Sequence, residues 1–140
     1  MDFLSATEVR KNWSLTLDNV VREKPAYIKR THDEITMMDI NILRFLLTIY
    51  RFNADKYIEK DGSVTLSLRE IDLVVNSDSE DDAKDKLIIE IKDYAEDYYD
   101  NFQSWSNSPN RQGHIPFVLK ALITDNYSLK EDLICLDGKN

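Results

Sequence analysis

Six large apolar side chains recur along the second half of the chain at steps of four, three, four, four and three: Leu87, Ile91, Tyr94, Tyr98, Phe102 and Trp105. Such spacing lines them up on one face of an α-helix, so this half must be organised around a long amphipathic helix with an apolar layer packed against it. Ser77 or Ser79 supplies the N-cap. Upstream, a turn at Asp61-Gly62 leads into Val64-Thr65-Leu66-Ser67-Leu68, whose strict alternation marks a half-buried strand, and Ile71 to Val75 reads as its partner. The polar stretch Asn107 to Gly113 ends the long helix. Ile115, Leu119 and Leu122 mark another, and Ser128-Leu-Lys-Glu131 is a capping box that opens a last short one. A chain of 140 residues accommodates one ordinary domain or two small ones.

The first part of the chain has a different rhythm. Phe3-Leu4 suits a short strand, and Ser5 or Thr7 can cap a turn of helix that carries Glu8, Val9 and Arg10. From Trp13, the residues Trp13, Leu17, Val20 and Val21 fall at helical intervals until Pro25 stops the element. Ala26 to Arg30 and Ile35 to Met38 are β-prone runs around Thr31-His32-Asp33-Glu34, which predicts a hairpin without the usual glycine turn. Ile40 to Phe52 then predicts a helix with apolar side chains on more than one face, including Leu43, Leu46, Leu47 and Tyr50. A helix of that kind needs burial all round, and a module of about 50 residues cannot supply it alone. Dimerisation through Leu43, Leu46, Leu47 and Tyr50, or packing on the following domain, is expected. The junction at 53–61 reads as short and ordered, which gives domains at 1–55 and 60–140.

The charge is unevenly spread. Residues 1–60 hold ten Lys+Arg against nine Asp+Glu, while 61–140 hold eight against seventeen. Electrostatic attraction acts within about a Debye length, so one end can meet nucleic acid while the other meets a basic partner. The simpler reading of the acidic part, that it aids solubility, stands beside this one.

Reactive constellations are scarce: there is no Gly-rich phosphate loop, no nucleophile elbow, and no Cys or His pair at metal-ligand spacing. His32 and His114 lack a second ligand nearby. The run Asp78-Ser-Glu-Asp-Asp82 lacks the central Gly and distal Glu of a calcium loop, and carboxylates at a helix start interact favourably with the macrodipole. Neither a metal, a cofactor nor a catalytic residue is therefore assigned, and the expectation is a binding protein, not an enzyme. The single cysteine, Cys135, suits a reducing compartment. With no signal peptide or membrane span in view, a cytoplasmic location is expected.

The residues Ser5-Ala-Thr-Glu-Val-Arg-Lys-Asn-Trp13, then Leu17-Asp-Asn-Val-Val21, then Tyr27-Ile-Lys-Arg30 resemble the N-terminal module of the Phd/YefM family of bacterial antitoxins. That module has a short strand, a Ser-x-Ala-Arg-x-Asn-Leu-like helix, an amphipathic helix, and an Ile-Thr-Arg hairpin before an apolar helix. The resemblance covers about the first third of the chain. It implies an intertwined α/β dimer whose first helix and hairpin contact operator DNA. The matching basic positions are Arg10 and Arg30. Lys11 and Lys29 flank them by charge, and Thr7 and Asn12 are possible neutral phosphate donors. Arg forks suit phosphates and guanine edges, and two-fold symmetry would double the local charge.

The chain departs from that pattern in several places. Thr31-His32-Asp33 stands where a glycine turn is common, and Trp13 replaces a leucine. Asp33 and Glu34 bring negative charge to the proposed DNA face. About 80 further residues stand where the family has a short tail that folds onto its toxin. The strand pair, acidic cap and Tyr-rich helix of that second part more distantly resemble the small α/β domain of HicB-type antitoxins. The fold class implied is α+β: a Phd/YefM-like α/β dimerisation and DNA-binding module, followed by a strand pair with helices.

The functional expectation is the antitoxin of a type II toxin-antitoxin pair. It would act as a dimeric autorepressor on operator DNA and use its acidic second domain to neutralise a basic toxin, of the ribonuclease class. The alternative is a structural or adaptor protein that keeps the dimer module without DNA recognition.

Overall fold

The computed structural model describes residues 1–138 and is α+β, with two units, Met1–Leu46 and Leu47–Asn140. In the first, β1 (Leu4–Ser5) runs straight into α1 (Ala6–Lys11). The Ser5 hydroxyl accepts from the Glu8 amide at 3.1 Å, the cap expected of a serine at this place. Asn12 separates α1 from α2 (Trp13–Arg22). Its backbone N–H and side-chain amide both donate to the Glu8 carbonyl, at 3.0 and 3.1 Å, so the last turn of α1 is satisfied before the chain restarts. Pro25 follows, and β2 (Ala26–Arg30) and β3 (Asp33–Met37) close the unit's sheet in the order β1-β2-β3.

β1 is parallel to β2, with Leu4 opposite Ile28, and β2 is antiparallel to β3, with Arg30 opposite Asp33. β3 therefore starts two residues before the run at Ile35 suggested, and the turn consists of Thr31 and His32 alone. Thr31 takes φ +54°, the left-handed region in which a β-branched residue is rare. The geometry that glycine usually supplies is present without the glycine.

α3 (Ile40–Leu47) starts beside Asp39, whose carboxylate accepts from the Asn41 amide at 2.8 Å. It stops five residues short of Phe52, where the apolar run ends. Tyr50 meets Phe117 edge-on at 5.5 Å and Phe52 is buried in the second unit's core, contacts that an uninterrupted helical stripe would not make.

The second unit contains β4 (Asn53–Ile58), β5 (Val64–Leu68), β6 (Val74–Ser77), α4 (Glu80–Asp100) and α5 (Phe102–Ser106). A 3-10 turn (Gln112–His114), α6 (Ile115–Ile123), α7 (Asn126–Asp132) and β7 (Ile134–Asp137) complete it. A four-stranded sheet, ordered β6-β5-β4-β7, takes the place of the expected strand pair. The segment read as a junction at 53–61 is instead mostly β4, a central strand, antiparallel to β5 and parallel to β7. Its pattern is hard to see because Lys56 shares a face with buried Ala54. The lysine stem covers that face and its ammonium reaches Glu80 and Asp137, at 3.7 and 3.6 Å. β6 begins at Val74, three residues later than expected, and Ile71 is buried in the bend before it.

Ser79, one of the two expected caps, accepts from the Asp82 amide at 3.1 Å. The apolar stripe spans two helices, because the chain breaks at Asn101. Leu87, Ile91 and Tyr98 are fully buried on α4, while Phe102 and Trp105 pack from α5. The capping box does not open α7. Asp125 is the cap, accepting the Ser128 amide at 2.8 Å and its hydroxyl at 2.9 Å, so the helix begins two residues before Ser128. The core of this unit also takes in Leu66, Val118 and Leu129. Among the described residues no helix is long and apolar enough to cross a membrane.

Candidate functional site

The first unit buries few large apolar groups: Val9 of α1, Val20 of α2 and Ile28 of β2. Of the four residues whose spacing predicted α2, Val20 turns inward and the other three face outward in the single chain. Trp13, Leu17 and Val21, at i, i+4 and i+8, are 51%, 37% and 63% exposed. Leu4, Leu15 and Tyr27 border an open hollow of about 820 Å³ that involves both α1 and α2. On α3, Phe45 is 75% exposed and Leu46 is also exposed. Of the four residues expected at a dimer interface, Leu46 is open and Leu43 half-buried, whereas Leu47 is buried and Tyr50 is half-buried against Phe117.

The predicted DNA residues are all on the surface. Arg10 and Lys11 occupy the last turn of α1, the end favourable to cations, and no ion pair engages them among the described residues. Thr7 is exposed near the opposite end of α1. Asn12 spends its amide on the Glu8 carbonyl, so it is an end-cap in the free chain. In β2, side-chain alternation puts Arg30 on the face of Ile28 and Lys29 on the other. The two hairpin cations therefore do not converge on one face.

Each of them faces a carboxylate residue in the sheet register, Lys29 opposite Glu34 and Arg30 opposite Asp33. The second pair is closed, with Arg30 Nη2 to Asp33 Oδ2 at 2.9 Å. With the boundary at Leu46, the first unit holds seven Lys+Arg and seven Asp+Glu. Sequence reading identified the intruding acids but not their pairing, which depends on a register set by the Thr31-His32 turn.

The second unit presents a different surface. Glu90, Asp93, Asp97 and Asp100 are exposed along one side of α4, with steps of three, four and three. At its N-terminal end, Asp81, Asp82 and Asp85 bring carboxylate oxygens within 4.8 Å of one another. The cation they meet is Lys130 of α7, which contacts Asp81 and Asp85 at 2.8 Å each. Hydrogen bonding to Lys130, with its charge, holds Asp81 below the usual carboxylate range, and the two carboxylates raise Lys130 in return. The arrangement ties α7 to the start of α4 and accounts for part of the acidic run.

Tyr94 and Tyr98 of α4 face Trp105 at ring separations of 5.8 and 5.6 Å, and the Arg111 guanidinium lies 3.8 Å from the Trp105 ring centre. Tyr98 donates to the Arg111 carbonyl at 2.8 Å. The cluster is saturated by its own contacts and has a structural role.

A comparison with curated proteins finds no match. Among solved structures, a crystal structure of an antitoxin part of a toxin/antitoxin system from Syntrophomonas wolfei subsp. wolfei is similar throughout. It is 32% identical, with a TM-score of 0.92 over 99% of this chain and 100% of that one. The likeness extends over both units, so the folded second unit is no peculiarity of this chain. The profile of the PHD_like family, described as antitoxin of toxin-antitoxin, RelE / RelB, TA system, matches residues 1–136, and the chain belongs to that antitoxin family.

Proposed function

We propose that the protein is the antitoxin of a type II pair, of the Phd/YefM kind in its first unit, acting in the cytoplasm as a homodimer that represses its own operator. The observation that carries this reading is the outward stripe Trp13, Leu17 and Val21 on a unit with so small a core. A module of this size is stable when a second copy covers such a surface, and pairing doubles the cations Arg10 and Lys11. Family membership supplies the toxin partner. The exposed carboxylates of α4 suit a basic toxin, such as a ribonuclease whose cationic groove they would steer towards and occlude.

DNA binding is tested by fluorescence anisotropy of the full chain on a labelled duplex from immediately upstream of its reading frame. Saturable binding, weakened by salt and by Arg10→Ala, supports the reading. Binding no stronger than that of an acidic control protein refutes it. The closed Arg30–Asp33 pair favours a second reading, a dimeric adaptor that captures its partner without recognising DNA, and that refuting result would support it.

A further inference from the structure

The hairpin tip is neutralised from within. A two-residue turn, held with Thr31 at φ +54°, puts Asp33 directly across from Arg30, and the guanidinium and carboxylate meet at 2.9 Å with both side chains more than half exposed. One step further from the turn, Glu34 lies across from Lys29. Residues directly opposite in an antiparallel pair have Cβ atoms about 4.5–5.5 Å apart, so each cation has an acidic residue across from it, and at Arg30 the two charges meet.

A phosphate would have to compete with that counter-charge. Affinity for a duplex arises largely from the counterions released when a free cation neutralises a phosphate. A guanidinium already neutralised by a carboxylate contributes less, because the carboxylate must be displaced or left facing the phosphate. Arg10 and Lys11 of α1 carry no such partner among the described residues.

From this we infer that Asp33 is a built-in competitor for the DNA phosphate at Arg30, and that it sets the strength and salt dependence of DNA binding while α1 supplies the uncompeted contacts. Asp33 acts here through Arg30, as a positioning residue. The inference rests on the reading of the first unit as a DNA-binding element and adds an affinity-limiting residue to it. A weak repressor that releases its operator readily is the expected consequence.

The test is a double-mutant cycle on the full chain, with Asp33→Asn, Arg30→Ala and the double variant. Each is titrated onto the same upstream duplex over a range of salt, beside Arg10→Ala. Asp33→Asn is expected to tighten binding about two- to fivefold per chain, the range an exposed ion pair commands. It should also steepen the slope of log affinity against log salt by up to about 0.9 per chain. Arg30→Ala should cost little in the parent and abolish the gain in Asp33→Asn.

If Asp33→Asn matches the parent in affinity and slope while Arg10→Ala weakens both, the inference fails and DNA binding stands. A gain that persists in Arg30→Ala, Asp33→Asn marks a general charge effect and also overturns it. If no variant binds the duplex, the DNA reading falls and the inference with it. Circular dichroism of each variant confirms that the fold is retained.

Discussion

Tyr94 and His114 are joined by a 2.7 Å hydrogen bond, Oη to Nδ1, that links α4 to the turn preceding α6. Burial, and then the charge of Arg111, lowers the histidine below its ordinary value of 6.5. The folded protein thus prefers a neutral His114, whereas the unfolded chain takes up a proton once the pH drops below that value. More protons bound in the unfolded state means stability that rises with pH. The melting temperature of the full chain should therefore fall between about pH 7 and pH 5. His114→Gln, which cannot titrate, should flatten the profile in that window, as measured by thermal scans at matched ionic strength.

Thr31 offers a separate test of the hairpin. A β-branched residue at φ +54° is strained, and glycine adopts the same conformation without a Cβ clash. Thr31→Gly is expected to stabilise the protein by about 1 kcal/mol despite glycine's greater freedom when unfolded, read as an increased denaturation midpoint at an unchanged slope. A destabilised variant would show that the threonine makes a compensating contact.

The second unit depends on α4 and its cap. Leu87 is fully buried in the core, so Leu87→Ala should cost about 2–5 kcal/mol through lost burial and the cavity left behind. Removing the Ser79 hydroxyl that holds the Asp82 amide should cost about 1 kcal/mol in Ser79→Ala. Urea unfolding gives both values, and a cost at Ser79 as large as that at Leu87 would contradict this ranking.

If the acidic face of α4 steers a cationic toxin, reversing its charge will act on the encounter. Asp93→Lys with Asp97→Lys should slow association with the cognate toxin by about tenfold at low salt, with a smaller effect at high salt. Stopped-flow or surface-plasmon kinetics with the purified pair would show it. Association unaffected by the reversal, at either salt, would place toxin capture elsewhere on the antitoxin.

The elements legible in the sequence were those whose stripe or cap is local. The α4 stripe and the alternation of β5 follow from spacing alone, and the N-caps of α1 and α4 are narrowed to two candidates each, Ser5 or Thr7 and Ser77 or Ser79, of which Ser5 and Ser79 make the caps. β4 is not legible because one of its two partners, β7, lies about 80 residues away, and because Lys56 reaches out to Glu80 and Asp137 from a face that otherwise reads as apolar. β7 was missed for a similar reason, as a short segment given meaning only by its parallel pairing with β4. The stripe at Trp13, Leu17 and Val21 was read correctly as helical, but periodicity cannot say whether an apolar face is buried in its own chain or left open. At the candidate site, the resemblance to the Phd/YefM module points to Arg10 and Arg30 and charge adds Lys11 and Lys29, whereas the pairing of Arg30 with Asp33 depends on the register of the hairpin.

The account depends on a second copy covering the open face of the first unit. Sedimentation equilibrium of the full chain at micromolar concentration measures this directly. A mass twice that of one chain, reverting towards a single chain in Leu17→Glu, Val21→Glu, is the predicted result. A parent protein that sediments as one chain across the whole concentration range would contradict it.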